Sequence, residues 1–349
     1  MFFFKKKKKD KVEQNKIPTT KKDLSIHDKQ DDFQTSPAHL LLLSKFRNGD
    51  NPSRYYNDEN WKNVLRENPE TVFKKFLREG LLEQAGLFEL IDHKYKASDL
   101  KSMLKEKGLK QSGSKKELIQ RLIEHDENAM SEATKNIYLH QCTNTGMKLA
   151  NNYLEEEEKK RESVENNVFD LLAKKQFSQA VLAVAQFESM QVFQRGMGID
   201  WNNYDGSKEI EGLKSIFITT PSILQDIDKN AIDQLRIATA MMYLWGVNTA
   251  QKWLPKDLDA GIHLDSEVAC RMFLFHARHL NNITTYKNAI KEEVMFKSFQ
   301  ISTANDSCPE CQKIARRKYR SLDDVPELPY SKCTYKKGCR CVMTANVGV

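Results

Sequence analysis

Five of the seven cysteines in this 349-residue chain fall between Cys308 and Cys341, and the chemistry their spacing suggests is metal ligation. Cys308-Pro309-Glu310-Cys311 has the form of a metal knuckle. Two intervening residues let both thiolates point at one tetrahedral ion while the amides of the turn donate to the sulfurs. Cys333 and the close pair Cys339 and Cys341 follow, giving five candidates for the four places of a zinc ion. Cys308 and Cys311 are read as ligands with one or both of Cys339 and Cys341, and Cys333 completes the site. The rival is a redox C-x-x-C pair. That pair belongs at a helix start after a strand in an α/β pattern, and the extra downstream thiols favour zinc. An odd total, concentrated at one end, argues against a disulfide scaffold and for a reducing, cytoplasmic setting.

The second constellation is cationic. Lys105, Lys107, Lys110, Lys115 and Lys116 crowd around Gly108 and Gly113. Leu100, Met103 and Leu104 before the break, and Leu118, Ile119, Leu122 and Ile123 after it, recur at helical spacing, so two short helices must bury their apolar faces against each other. Gly108 reads as a helix stop, Leu109 as a plug and Gly113 as a turn residue needing positive φ. Ser114 caps the second helix, with Glu117 completing a capping box. The amides opening that helix, with Lys115 and Lys116, then form a phosphate site that Lys105, Lys107 and Lys110 extend.

This stretch closely resembles a SAP domain. The resemblance is carried by Asp99-Leu100-Lys101, Lys107-Gly108-Leu109, Ser112-Gly113-Ser114-Lys115 and Glu117-Leu118-Ile119-Gln120-Arg121-Leu122. It covers roughly a tenth of the chain and implies binding to duplex DNA with little base readout and some liking for A/T-rich sequence. A hairpin that only packs or binds protein is the alternative, since a fold does not by itself establish function. The tail is similar, more loosely, to the C-terminal segment of Mu-like phage minor head (head morphogenesis) proteins. That likeness rests on Cys308-Pro309-Glu310-Cys311, Leu322-Asp323-Asp324-Val325-Pro326, Leu328-Pro329 and Cys339-Arg340-Cys341. Those proteins carry a histidine just before the final cysteine pair. Here Cys333 stands in its place, with an insertion through Lys337-Gly338, so the likeness implies phage or mobile-element ancestry rather than a capsid role.

The elements that must position these groups are mostly helical. Leu40 to Leu43, Trp61, Val64 and Val72 to Leu82 mark an N-terminal unit. Asn68-Pro69-Glu70 reads as a helix entry, with Phe73, Phe76 and Leu77 as the buried face. A short strand and turn are expected over Tyr138–Gly146. Residues 155–166 are a charge run with opposite signs one turn apart, the pattern of a solvated linker helix. Beyond it the apolar period predicts helices through Phe193 and over Ile223–Ile227, Ile232–Trp245 and Val268–Leu280, with Met241, Met242, Tyr243 and Trp245 in the core. His276 and His279 share a helix face but lack an acidic partner at metal-site spacing, so they read as exposed or hydrogen-bonded histidines. The resulting division is a disordered basic tail over 1–37 with Lys5 to Lys9, an N-terminal DNA-binding unit over 38–154 containing the hairpin 95–125, and a charged linker helix over 155–167. A helical domain over 168–297 and a cysteine-rich zinc module over 298–349 complete it.

Lysine and arginine total 55 against 48 aspartate and glutamate, a formal charge of +7. That permits a nucleic-acid partner without demanding one. No apolar run approaches the roughly 20 residues that cross a bilayer. No phosphate-binding glycine loop, nucleophile elbow or HExxH motif occurs, which lowers an enzymatic reading. The expectation is a mainly α, non-enzymatic DNA-binding protein of bacterial or phage-related origin, its zinc-knit end a structural element or a second nucleic-acid contact. An assembly protein that self-associates through its helical middle is the alternative, and a nucleic-acid-processing enzyme a further one.

Overall fold

The computed structural model describes residues 35–196, 199–256 and 265–347. The basic tail with Lys5 to Lys9 lies outside the described residues. The chain is mainly helical, with fifteen α-helices among those residues, and none is long and apolar enough to cross a membrane.

The N-terminal helices are α1 (Pro37–Ser44), α2 (Ser53–Tyr56), α3 (Glu59–Leu65) and α4 (Pro69–Arg78). Their starts are written locally. The Asp58 carboxylate accepts from the Asn60 and Trp61 amides, and the Asn68 side chain accepts from Glu70 N at 2.8 Å with Pro69 filling the first helical position. Leu42, Leu43, Phe46, Trp61, Val72, Phe73 and Phe76 bury together. Leu77, expected on that face, is 36% exposed. The stripe of α4 runs through 72, 73 and 76, and one further residue rotates past its edge.

The chain then enters β1 (Leu82–Gln84) and leaves it for α5 (Leu87–Lys94), α6 (Ala97–Glu106), α7 (Lys115–His125) and α8 (Glu127–Thr134). It returns as β2 (His140–Cys142), antiparallel to β1 with Leu82 opposite Cys142. The lysine-rich hairpin is thus part of an excursion out of a two-stranded ladder. The excursion has a core of its own, built from Ile91, Leu100, Leu104, Leu118, Ile119, Leu122 and Met130. Because that core is separate, Leu118→Ala is expected to cost roughly 2–5 kcal/mol locally. Hydrogen exchange should show lost protection confined to residues 87–130; uniform loss across the chain would contradict this separation.

Next comes α9 (Asn144–Ala173), about 45 Å long at 1.5 Å per residue. Gly146 lies in its first turn because the helix touches the residue leading into β1: a Cβ there would stand 2.0 Å from the Leu81 carbonyl oxygen. The charge run is the middle of this helix, and its end is not solvated. Glu165 is buried, bound by Arg161 Nε at 2.8 Å and by Lys252, while Arg161 also reaches Thr249 Oγ1 at 2.9 Å. Two cations offset the desolvation of one carboxylate where α9 meets the later helices.

Those helices are α10 (Phe177–Ser189), α11 (Ser207–Ile218), α12 (Lys229–Trp245), α13 (Val247–Ala250) and α14 (Ser266–Lys291). Ile223–Ile227 is not an α-helix; it opens with a single 3-10 turn, Ser222–Leu224, squeezed between Pro221 and the Asp228 cap of α12. The helix α11 was not anticipated, since Gly212 interrupts its weak apolar period. Met241, Met242 and Trp245 are core residues, whereas Tyr243 is 40% exposed. The chain closes with β3 (Phe296–Ser302), α15 (Pro309–Ala315), β4 (Lys318–Tyr319) and β5 (Val342–Val347), forming an antiparallel sheet in the order β4-β3-β5. This sheet shares one continuous core with the helices from Val168 onward.

His276 and His279 are both buried on α14. His276 Nδ1 donates to the Leu328 carbonyl at 3.1 Å, and Nε2 accepts from the Thr219 hydroxyl at 3.1 Å. His279 Nδ1 has no hydrogen-bond partner, and burial, helped by nearby His276, drives its pKa from the ordinary 6.5 down to about 4. A base whose folded pKa is depressed resists a proton that the unfolded chain accepts. Its neutral burial is therefore at full effect above about pH 6.5, and up to about 3 kcal/mol of stability is lost as pH falls toward 4. Urea unfolding near neutral pH and near pH 5 measures this, and His279→Leu should flatten the difference. An unchanged pH slope in that variant would assign the acid sensitivity elsewhere.

Candidate nucleic-acid interface and metal centre

The hairpin is built as its pattern implies. Leu100, Leu104, Leu118, Ile119 and Leu122 are fully buried between α6 and α7. Gly108 ends α6 at φ 69° and Gly113 turns the chain into α7 at φ 127°. The capping box is closed: Ser114 N donates to Glu117 Oε2 at 2.6 Å, and Glu117 N donates back to Ser114 Oγ at 3.4 Å. Hydrogen bonds from the Ser114 amide and hydroxyl hold the Glu117 carboxyl below its usual range, aided by the Arg121 and Lys110 charges. One consequence narrows the expected phosphate cradle. Two amides at the start of α7 are satisfied internally and a carboxylate stands beside them, which leaves the Lys115 and Lys116 amides without a partner among the described residues.

The lysines divide into two groups. Lys115 is half-buried, its Nζ 2.5 Å from the Asp92 carbonyl and 3.0 Å from Asp92 Oδ1, so it ties α7 to α5. Lys105, Lys110 and Lys116 are exposed, as are Gly113 and Ser114, while Lys107 is half-buried. Among the described residues, the side chains of Lys105, Lys107, Lys110 and Lys116 have no hydrogen-bonded or ion-paired partner. Residues 93–127 hold nine lysines and arginines against six carboxylates, so the local balance is positive.

One residue of this surface has a part that spacing alone did not reveal. The Arg121 guanidinium Nη1 donates to the Lys110 carbonyl at 2.5 Å and to the Ser112 carbonyl at 3.3 Å. It closes the extended stretch between the helices and so orients Lys110. The signal was present as a cation two turns into α7, on the side facing a loop whose carbonyls have no strand partner.

At the other end of the chain the five cysteines converge. All seven thiols of the chain are free of disulfides. Cys142 and Cys270 lie apart from the cluster, and burial raises them to about 11 and about 12, the behaviour of inert core thiols. The other five form two overlapping triads, Cys308/Cys311/Cys333 and Cys311/Cys339/Cys341, whose sulfurs lie within 4.8 Å of one another in each. Cys308 caps α15 and Cys311 lies in its first turn. Cys333 and Cys339 flank a turn, and Cys341 precedes β5. The Cys308–Cys333 sulfurs are 3.8 Å apart and the Cys311–Cys339 sulfurs 3.9 Å. A tetrahedral ion with metal–sulfur bonds of 2.3 Å has sulfur–sulfur edges of about 3.8 Å.

Electrostatics in the cluster favour thiolate at Cys308 and Cys339 and oppose it at Cys311, Cys333 and Cys341. Burial works against ionisation of Cys308, but amide hydrogen bonds from Cys311 and Thr334 and their side chains outweigh it and bring the thiol down to about 7. Cys339 is pushed far down by hydrogen bonds from Cys311, Cys333 and Cys341, while Cys311, donating to the same neighbours, is pushed up. Five thiols sharing so little space share their protons unequally. The Tyr330 amide also donates to Cys339 Sγ at 3.3 Å, a backbone contact of the kind that supports metal-bound sulfur. The cluster can therefore hold a metal ion. His276 and His279 belong to neither triad.

Comparison with known proteins agrees with the hairpin. The SAP domain family model matches residues 93–127. No curated protein and no solved structure matches the chain, and the likeness of the tail to phage minor head proteins finds no support among them.

Proposed function

We propose, from the premise that residues 93–127 are a SAP domain, that this chain binds duplex DNA through its phosphate backbone with weak sequence preference. One zinc ion knits its cysteine-rich end. The observation that carries the reading is the set of unpaired cations, Lys105, Lys107, Lys110 and Lys116, gathered at the turn of that domain. Cations without internal partners retain their full charge for a polyanion, and each phosphate neutralised releases condensed counterions. A salt titration of binding to duplex and to single-stranded DNA tests it. The logarithm of affinity should fall linearly with the logarithm of salt, by about 0.9 per phosphate contact on duplex. Salt-independent binding, or none, would refute it.

For the metal, an all-thiolate set of soft ligands suits zinc. Neither triad holds four thiols, so binding would draw the two, joined at Cys311, onto one ion. The sulfur edges of 3.8 and 3.9 Å favour Cys308, Cys311, Cys333 and Cys339 as the ligands, with Cys341 the spare thiol. When bound, zinc would supply cross-linking between α15 and the turn before β5, a structural part rather than a chemical one.

An assembly role is the second reading, and one feature favours it. Among the described residues the outer edge of β5 pairs with no strand, the strand Val342-Met343-Thr344-Ala345-Asn346-Val347 carries no charge, and Val347 and nearby Met295 are 58% and 78% exposed. An uncharged edge is open to strand addition. Light scattering on the purified chain separates the readings: a stable large oligomer without DNA affinity would select assembly.

A further inference from the structure

We infer that the cysteine-rich module carries a second nucleic-acid contact, the exposed run Arg316-Arg317-Lys318-Arg320, which grips phosphate backbone from a position held by the metal cluster. Only the kind of polyanion is borrowed from the SAP reading; the charge and its presentation are independent of it.

The run leaves the end of α15 and crosses β4. Tyr319 is buried, its hydroxyl donating to the Ile314 carbonyl at 3.1 Å. Lys318 in β4 and Arg320 just after it, on either side of the buried Tyr319, are both exposed. Arg316 and Arg317 are exposed at the helix end, and among the described residues no side chain of the four has a hydrogen-bonded or ion-paired partner. Three of the five side-chain carboxylates between 298 and 349 are engaged elsewhere. Asp306 holds Arg340 and the Tyr335 hydroxyl, Glu310 holds Lys313, and Glu327 takes the Ser222 amide at 2.9 Å. Asp323 and Asp324 remain exposed in the following turn and pair with none of the run.

A second cationic segment belongs to the same module. Lys336 and Lys337 lie on the turn that Cys333 and Cys339 flank and Lys332 immediately precedes Cys333; all three are exposed and, among the described residues, without a side-chain partner. Those cysteines approach Cys308 and Cys311 at the start of α15, so a metal held by the cluster would anchor both segments at once. Three of the four residues in the run are arginines, whose planar guanidinium groups suit bidentate contact with phosphate oxygens. An anionic bilayer would be gripped with help from inserted apolar side chains. No large hydrophobic residue between 297 and 346 is exposed, and the exposed Met295 and Val347 lie just before β3 and at the end of β5, away from the pairing of β3 with β4. Nucleic acid is the polyanion this surface fits. With the hairpin it would give two contacts on one chain and a gain in effective concentration.

The test is fluorescence anisotropy with labelled duplex DNA across a salt series, using the full zinc-loaded chain. Three variants are compared with it: Arg316, Arg317, Lys318 and Arg320 all to Gln; Lys110→Gln with Lys116→Gln; and the combination. The first should weaken binding at least about tenfold and reduce the salt slope by about 3 to 4, at roughly 0.9 per lost phosphate contact. The second should leave residual binding carried by the run, and the combination should remove both. If the first variant keeps the affinity and slope of the parent, the inference is wrong. If only the hairpin variant binds like the parent, the SAP reading fails and this contact stands. Lysine acetylation of the unaltered chain with and without DNA guards against misfolding artefacts. Lys318, Lys332, Lys336 and Lys337 should be protected several-fold; unprotected lysines, or capture by phosphatidylserine vesicles without DNA binding, would overturn the proposal.

Discussion

Reversing the charge of Lys110 and Lys116 together should lower duplex affinity by about a hundredfold at low salt and reduce the salt slope by about 2. Both side chains are exposed and, among the described residues, unpaired, so the change would remove the proposed contacts to DNA without breaking a described contact in the fold. Lys115 makes the instructive contrast. Its ammonium is bound to Asp92 on α5, so Lys115→Glu would set two carboxylates against each other and loosen the hairpin as well as repel phosphate. Melting curves separate the two effects: Lys110→Glu/Lys116→Glu should melt with the parent, Lys115→Glu below it. Arg121→Ala should weaken binding less, by releasing the Lys110 and Ser112 carbonyls and freeing the stretch that presents Lys110. Undiminished DNA affinity in the Lys110/Lys116 variant, with its salt slope intact, would remove the hairpin from the binding surface.

Stripping the metal should do more to stability than any single surface change. The chain is expected to carry about one zinc, and a strong chelator should melt α15 and the β4-β3-β5 sheet, since a structural site couples metal binding to folding. The damage should reach α14. Cys308, Cys311, Cys339 and Cys341 belong to the same core as Met272 and Phe273, and the Cys339 amide donates to Met272 Sδ at 3.3 Å. Cys311→Ser, the thiol common to both triads, should abolish zinc in the purified protein, whereas Cys341→Ser should retain it. Elemental analysis checks each. Zinc must displace protons from its raised thiols Cys311 and Cys333 at any ordinary pH, so its affinity should fall as pH drops, and more steeply below about 7, where Cys308 also takes up its proton. Metal-free protein with an intact near-ultraviolet spectrum would refute the structural zinc, and a Cys308–Cys311 disulfide under mild oxidation would favour the redox rival.

Much of the hairpin was legible before any coordinates, because it is local. Apolar period, glycine turns and the Ser114–Glu117 box all act within a few residues, and each is realised. The cysteine knuckle is local in the same way, through Cys308 and Cys311 on one turn of helix. What the chain did not reveal by spacing is contact between distant segments. The excursion of α5 to α8 from the β1–β2 ladder joins Leu82 to Cys142, and the short β4 is recognisable only from its pairing with β3.

The amino-acid order by itself determined where the cations and thiols cluster and which helices present them, since neighbours in sequence are held close whatever the fold. Tertiary structure alone decided their condition. It took Lys115 out of the free set by bringing Asp92 from twenty-three positions away, sank Glu165 and the two histidines of α14 into the interior, and brought Cys333 and Cys339 onto α15. Charge, burial and coordination depend on what arrives from elsewhere in the chain, and long-range packing settles that.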